Sequence, residues 1–218
     1  MMNSEKQVAE KLLQINAIRL NLQTPFTWTS GWKSPIYCDN RRILSFPFVR
    51  DFIKSEMSNV VFETFGEAAA IAGVATAGVP HGALVADQLK LPFLYVRSKA
   101  KGHGLGNRIE GYLEPGTKTV VIEDLISTGG SSLDACRALR EAGAEVIGLV
   151  SVFNYGFPVA AKAFQEAGIE VRSLSNYAAL IQVALDKGLV TAAEQESLAG
   201  WREAPESWGR QPLPEERS

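Results

Sequence analysis

Val8, Leu12 and Ile15 recur at helical spacing behind Ser4 and Gln7, a capping-box pair, so the chain is expected to open with a helix. The rhythm then breaks. Pro25, Trp28, Gly31, Trp32, Pro35 and Tyr37 punctuate residues 24–45, which read as short strands and turns, a small hood rather than core. From residue 68 onward apolar runs alternate with helical segments. The runs 68–74, 92–97, 117–124, 145–153 and 169–174 predict strands. The segments 80–90, 132–142 and one ending near Gly168 predict helices, with Gly143 and Gly168 as stops. Strands that are apolar along most of their length need cover on both faces. The pattern therefore predicts an α/β fold: one doubly wound sheet of about five parallel strands, flanked by helices, with the small hood near the N-terminus (about residues 20–45). Residues 176–200 read as one or two helices broken at Gly188. Residues 1–200 are expected to form a single domain. The segment 201–218, rich in Pro, Glu and Arg, is expected to pack weakly or be disordered.

Charge narrows the choice of partners. The net charge is −2, so no global field attracts nucleic acid or an anionic membrane. Any bound anion must be met by local cations or by backbone amides. Cys38 and Cys136 are too few and too far apart for a disulfide framework or a zinc site. The first residues carry early acids without an apolar core, and no run is long enough to span a bilayer. A cytoplasmic protein with neither membrane nor nucleic-acid partner is expected.

Ligands of open parallel sheets collect beyond the carboxyl ends of the strands. Three segments with unusual residues fall there. The first runs from Glu123 and Asp124 through Leu125, Ile126, Ser127, Thr128, Gly129, Gly130 and Ser131 into a helix. Helix-start amides and glycines suit a phosphate, whereas two adjacent acids would repel a bare anion. A ribose 5-phosphate reconciles them: the acids accept from the 2′ and 3′ hydroxyls while Ser127 to Ser131 hold the phosphate. The second segment, Arg97 to Arg108, sets Lys99, Lys101 and His103 among three glycines, a loop able to close over a polyphosphate. The third, Ala75 to His81, is a strand-to-helix turn that could offer amides to another phosphate group, with His81 read as a packing or capping residue. Two competing phosphate motifs fail. Gly111 and Gly116 have P-loop spacing, but Thr117-Lys118 reverses the required order and a strand follows. Gly104 and Gly106 lack the third glycine of a dinucleotide fingerprint, Ile109 standing in its place.

The acid pair and hydroxyl-glycine run at 121–132 resemble the phosphoribosyl pyrophosphate motif of type I phosphoribosyltransferases. Two further stretches, Thr29 to Arg41 and Tyr95 to Gly111, narrow the likeness to bacterial orotate phosphoribosyltransferases. The resemblance implies a magnesium-dependent transfer of ribose 5-phosphate from phosphoribosyl pyrophosphate to N1 of orotate, with inversion. The products would be orotidine 5′-monophosphate and pyrophosphate. It implies Mg²⁺ held mainly by substrate rather than by a protein metal site. Arg97, Lys101 and His103 would reach the pyrophosphate from the neighbouring subunit of a homodimer, and Lys101, His103 and Asp124 would carry the catalysis. Glu123 to Ser131 would hold ribose and 5-phosphate. Ser127, together with backbone around Tyr37, would touch orotate. Some members carry lysine at the positions of Thr29, Ala77 and Ser98 and arginine at Asn154, so Lys99 would replace the missing loop charge. The sequence names no general base for orotate N1.

Overall fold

The computed structural model describes residues 4–28, 31–99 and 108–208. The chain opens with the expected helix, α1 (Ser4–Gln14), which buries Val8, Ala9 and Leu12. The Ser4 hydroxyl donates to the Glu56 carboxylate, tying the helix start to a distant element. In the hood, β1 (Ile18–Leu20) pairs antiparallel with β4 (Ile36–Cys38), and β2 (Phe26–Thr27) with β3 (Lys33–Ser34). A 3₁₀ turn at Asn40–Ser45 leads into α2 (Pro47–Thr64). The pattern reading assigns no element to residues 46–67, yet the signal is there. Pro47 opens the helix, and Val49, Ile53, Met57 and Val61 recur every fourth residue and are buried.

The α/β region follows the predicted alternation. β5 (Ala70–Val74), α3 (Gly78–Leu89), β6 (Phe93–Val96), β7 (Ile109–Glu110) and β8 (Lys118–Ile126) come first. Then come α4 (Gly130–Glu141), β9 (Glu145–Asn154), α5 (Pro158–Glu166), β10 (Val171–Asn176), α6 (Tyr177–Asp186) and α7 (Ala192–Glu203). The sheet has six strands in the order β10-β9-β8-β5-β6-β7, one more than expected. The extra strand is β7, an antiparallel edge of two residues, too short for period-2 patterning to reveal. The other neighbours are parallel. Val120, Ile122, Val150 and Val152 face α1, α2, α3 and α6, while Val121 and Leu149 face α4 and α5. This two-sided cover is what apolar parallel strands require.

The expected weak packing from Trp201 onward needs correction. α7 runs through to Glu203, and Trp201 is fully buried. Its ring meets Trp28, Tyr155, Phe157 and Tyr177 at centroid separations of 5.5–5.7 Å, and its Nε1 donates to the Lys33 carbonyl at 3.1 Å. Charged neighbours hid this residue, but it clamps the hood onto the sheet. Residues 209–218 of the expected tail lie outside the described residues.

Candidate active site

Going from β5, the chain crosses to β6 on one side, while β8 lies on the other, so strand order reverses between β5 and β8. Such a switch point opens a crevice at the carboxyl edge of the sheet. A cavity of about 340 Å³ sits there. Ala75, Thr76 and Ala77 after β5 form one wall, Glu123, Asp124 and Leu125 of β8 another, and Ser131 closes the side toward α4. The hood supplies Cys38, Asp39 and Arg41. The Ala75–Thr76 peptide is cis. Gly78 packs where any side chain would strike the Ile122 carbonyl, 2.5 Å from an added Cβ, which lets α3 start flush against β8.

The two acids at the end of β8 differ in environment. Glu123 is 4% exposed. Its Oε1 accepts from the Asp124 backbone N–H at 3.0 Å and its Oε2 from the Ser132 hydroxyl at 3.0 Å. Burial, and then the adjacent Asp124 charge, push its carboxyl well above the usual range. Burial also raises Asp124, but bonds from Glu123 and from backbone amides oppose the rise, as does Arg41. Both carboxyls are therefore harder to ionise than in water, the more buried Glu123 more so than Asp124.

The turn after β8 has the features of an anion site. Gly129, at φ +81°, caps α4 without any side-chain hydrogen bond to the helix start. An added Cβ there would lie 2.8 Å from Phe164, and Gly130 faces open space. The Thr128 N–H turns back onto the Ser127 hydroxyl at 2.6 Å. Leu125 and Ile126 belong to β8 itself rather than to the turn. Ile126 is buried and could meet a ligand only through backbone, whereas Leu125 is half-buried and lines the cavity.

The cationic segment lies between β6 and β7 in the chain. Its base is closed by the Arg97 N–H donating to the Arg108 carbonyl at 2.8 Å and Arg108 Nε to the Arg97 carbonyl at 3.0 Å. Arg108 also pairs with Asp134 on α4, and Arg97 with Glu110 at 3.4 Å. Arg97 does not line the cavity. Lys101 and His103 lie outside the described residues, as does Thr29. Tyr37 is half-buried on the hood under the Arg19 guanidinium, 4.9 Å from its ring, beside Phe26, and it too is absent from the cavity lining. Asn154 accepts from the Gly156 N–H at 2.8 Å.

Sequence reasoning passed over the hood residues that reach the acids. Asn40, fully buried, donates from Nδ2 to the Asp124 carbonyl at 2.6 Å, bolting the hood to the end of β8. Cys38 donates its S–H to Asn40 Oδ1 at 3.4 Å, and burial together with Asp124 and Asp39 holds its thiol protonated. A buried asparagine beside an acid in a Pro- and Trp-rich stretch was the available signal.

Behind this bolt lies His81, 2% exposed, with no hydrogen-bond partner on Nε2 among the described residues. Burial pulls its pKa from 6.5 to about 4, against an opposing Asn40 backbone bond. The folded pKa lies below the unfolded one, so the stability that depends on the neutral ring is fully present above pH 6.5. It is lost as pH falls from 6.5 toward 4, amounting to roughly 2–3 kcal/mol by about pH 4.5. Urea unfolding of wild type and His81→Gln at the two ends of that window should differ in pH dependence by this amount. Identical dependences would show that the ring is not held neutral.

Residues 48–186 match the phosphoribosyl transferase domain model. The orotate phosphoribosyltransferase of Phocaeicola vulgatus is 57% identical over 204 residues, covering 94% of this chain and 96% of the relative. That of Listeria monocytogenes is 54% identical over 209 residues, covering 96% of this chain and all of the relative. Among solved structures, orotate phosphoribosyltransferase from Aeropyrum pernix superposes with a TM-score of 0.73 at 28% identity, covering 84% of this chain and 99% of that one. The chain thus carries a type I phosphoribosyltransferase domain. Within that class, the chain belongs to the orotate phosphoribosyltransferase family.

Proposed function

We propose that the chain transfers ribose 5-phosphate from phosphoribosyl pyrophosphate to orotate N1, as the names of its relatives indicate for them, and that the cavity at the β5–β8 switch point is where this occurs. The observation that carries the assignment of the site is the meeting of an acid pair with an uncapped glycine-started helix. The 5-phosphate sits on the amides from Ser127 to Ser131. The ribose hydroxyls face Glu123 and Asp124. As the bond to pyrophosphate lengthens, positive charge grows on the ribose and Asp124 offsets it. Arg97, Lys101 and His103 stabilise the negative charge that grows on pyrophosphate.

Among the described residues no cluster of three or more His, Cys, Asp or Glu could cage a metal. Two adjacent carboxylates beside a phosphate turn suit Mg²⁺ bound largely by substrate oxygens, with Asp124 the accessible protein ligand. When bound, the ion neutralises charge on the leaving pyrophosphate. No helix among the described residues is long and apolar enough to cross a membrane, in keeping with a cytoplasmic enzyme. A homodimer agrees with Phe48 and Phe62, 93% and 73% exposed on α2.

Orotate absorbance should fall only when enzyme, phosphoribosyl pyrophosphate and Mg²⁺ are all present. Turnover of adenine or hypoxanthine with orotate inert would overturn the choice of base.

A further inference from the structure

Orotate brings a carboxylate into a cavity already lined by three acids, Asp39, Glu123 and Asp124. Something must compensate it. Most of the described cations nearby are engaged elsewhere. Arg42 Nε donates to the Ile15 carbonyl, Lys33 to the Thr27 hydroxyl, and Arg19 lies over Phe26 and Tyr37. Arg97 and Arg108 pair with Glu110 and Asp134. Ala77 contributes only a methyl group to the wall, and Asn154 is uncharged.

Among the described residues, Arg41 is the one cation in the cavity lining. Asp39 engages its Nε at 2.6 Å, and the side chain is still 64% exposed. A guanidinium has five N–H donors, so this ion pair leaves the four on the terminal nitrogens for a planar carboxylate. Asp39 also fixes the direction of the guanidinium, lowering the entropy lost when a ligand arrives. Arg41 follows directly on Asn40, whose side chain is bonded to the Asp124 carbonyl, so the base-binding cation and the ribose-binding acid are referenced to one another.

We propose that Arg41 binds the carboxylate of orotate and so selects this base over uracil, which lacks that group. The inference rests on the proposed reaction and deepens it. Arg41 is a specificity residue, not a group that moves protons.

Steady-state kinetics of Arg41→Gln and Arg41→Lys, with uracil as a competitive inhibitor, test the assignment. For Arg41→Gln the KM for orotate should rise on the order of 10–100-fold, from loss of a charge-assisted pair. The KM for phosphoribosyl pyrophosphate and the inhibition constant of uracil should stay within about twofold. Arg41→Lys should recover part of the loss, since charge remains without the planar fork. Two results overturn the proposal: an unchanged KM for orotate, or an equal rise in both substrate KM values, which would place Arg41 on a phosphate. Wild type in the same assay keeps the two claims apart. If it consumes no orotate the reaction itself is wrong, whereas an active wild type beside an unaffected variant removes only Arg41.

Discussion

Asp124→Asn is expected to lower turnover by roughly 10²–10³, a loss of about 3–4 kcal/mol of transition-state stabilisation. The fold should survive. Asparagine matches aspartate in shape, and the contact that bolts the hood to this position uses the Asp124 backbone carbonyl rather than its side chain. What disappears is the charge. Because the neighbouring Glu123 is the more buried and the harder to ionise, Asp124 is the acid better able to face a developing cation on ribose. Glu123→Gln provides the contrast. An amide can accept from the Asp124 N–H and donate to the Ser132 oxygen, keeping both existing contacts. Its cost should remain below about tenfold, since burial makes Glu123 the harder acid to ionise and the weaker source of charge. Turnover measured at saturating substrate, with unfolding midpoints as a control, decides the matter. An active Asp124→Asn would make the acid pair structural, and equal losses in both variants would show that charge is shared differently.

Strand and helix order was legible because buried parallel strands are apolar along most of their length and glycines close several of the helices. The switch-point site was legible because its chemistry is contiguous in sequence: Glu123 to Ser131 is a strand end and a turn. The hood contribution was harder to see. Asn40 and Arg41 acquire roles only when the 3₁₀ turn brings them against β8, through one side-chain-to-backbone bond across 84 positions of sequence. Trp201 was misjudged for a similar reason. Its local surroundings are charged, and the aromatic partners that bury it come from the hood, from the turn after β9, and from α6. Long-range partners leave little local pattern, so they are where reading along the chain stops.

The last expected result concerns the cationic loop. Lys101→Ala and Asp124→Ala should each be nearly inactive alone, yet a reassembled mixture should recover activity. The segment lies between β6 and β7, at the edge of the sheet, whereas the cavity lies between β5 and β8. At its base, the Arg97 side chain turns to Glu110 instead of into its own cavity, and the Arg97–Arg108 bonds hold the stem in place. Arg97 is thereby directed away from its own cavity, as expected if the segment serves a neighbour in a two-fold dimer. Suppose the two variants are dissociated, mixed equally and reassociated. Random pairing makes half the dimers mixed. If Lys101 acts across the interface, each mixed dimer has one site bearing both lesions and one with both residues intact. Activity then approaches about a quarter of wild type. If Lys101 serves its own subunit, every site in every dimer carries one lesion and nothing returns. Native mass spectrometry of differently tagged subunits establishes that mixed dimers formed. Silence in their presence would place the loop over its own cavity and leave the reaction unaffected, whereas recovery would require two chains for each working site.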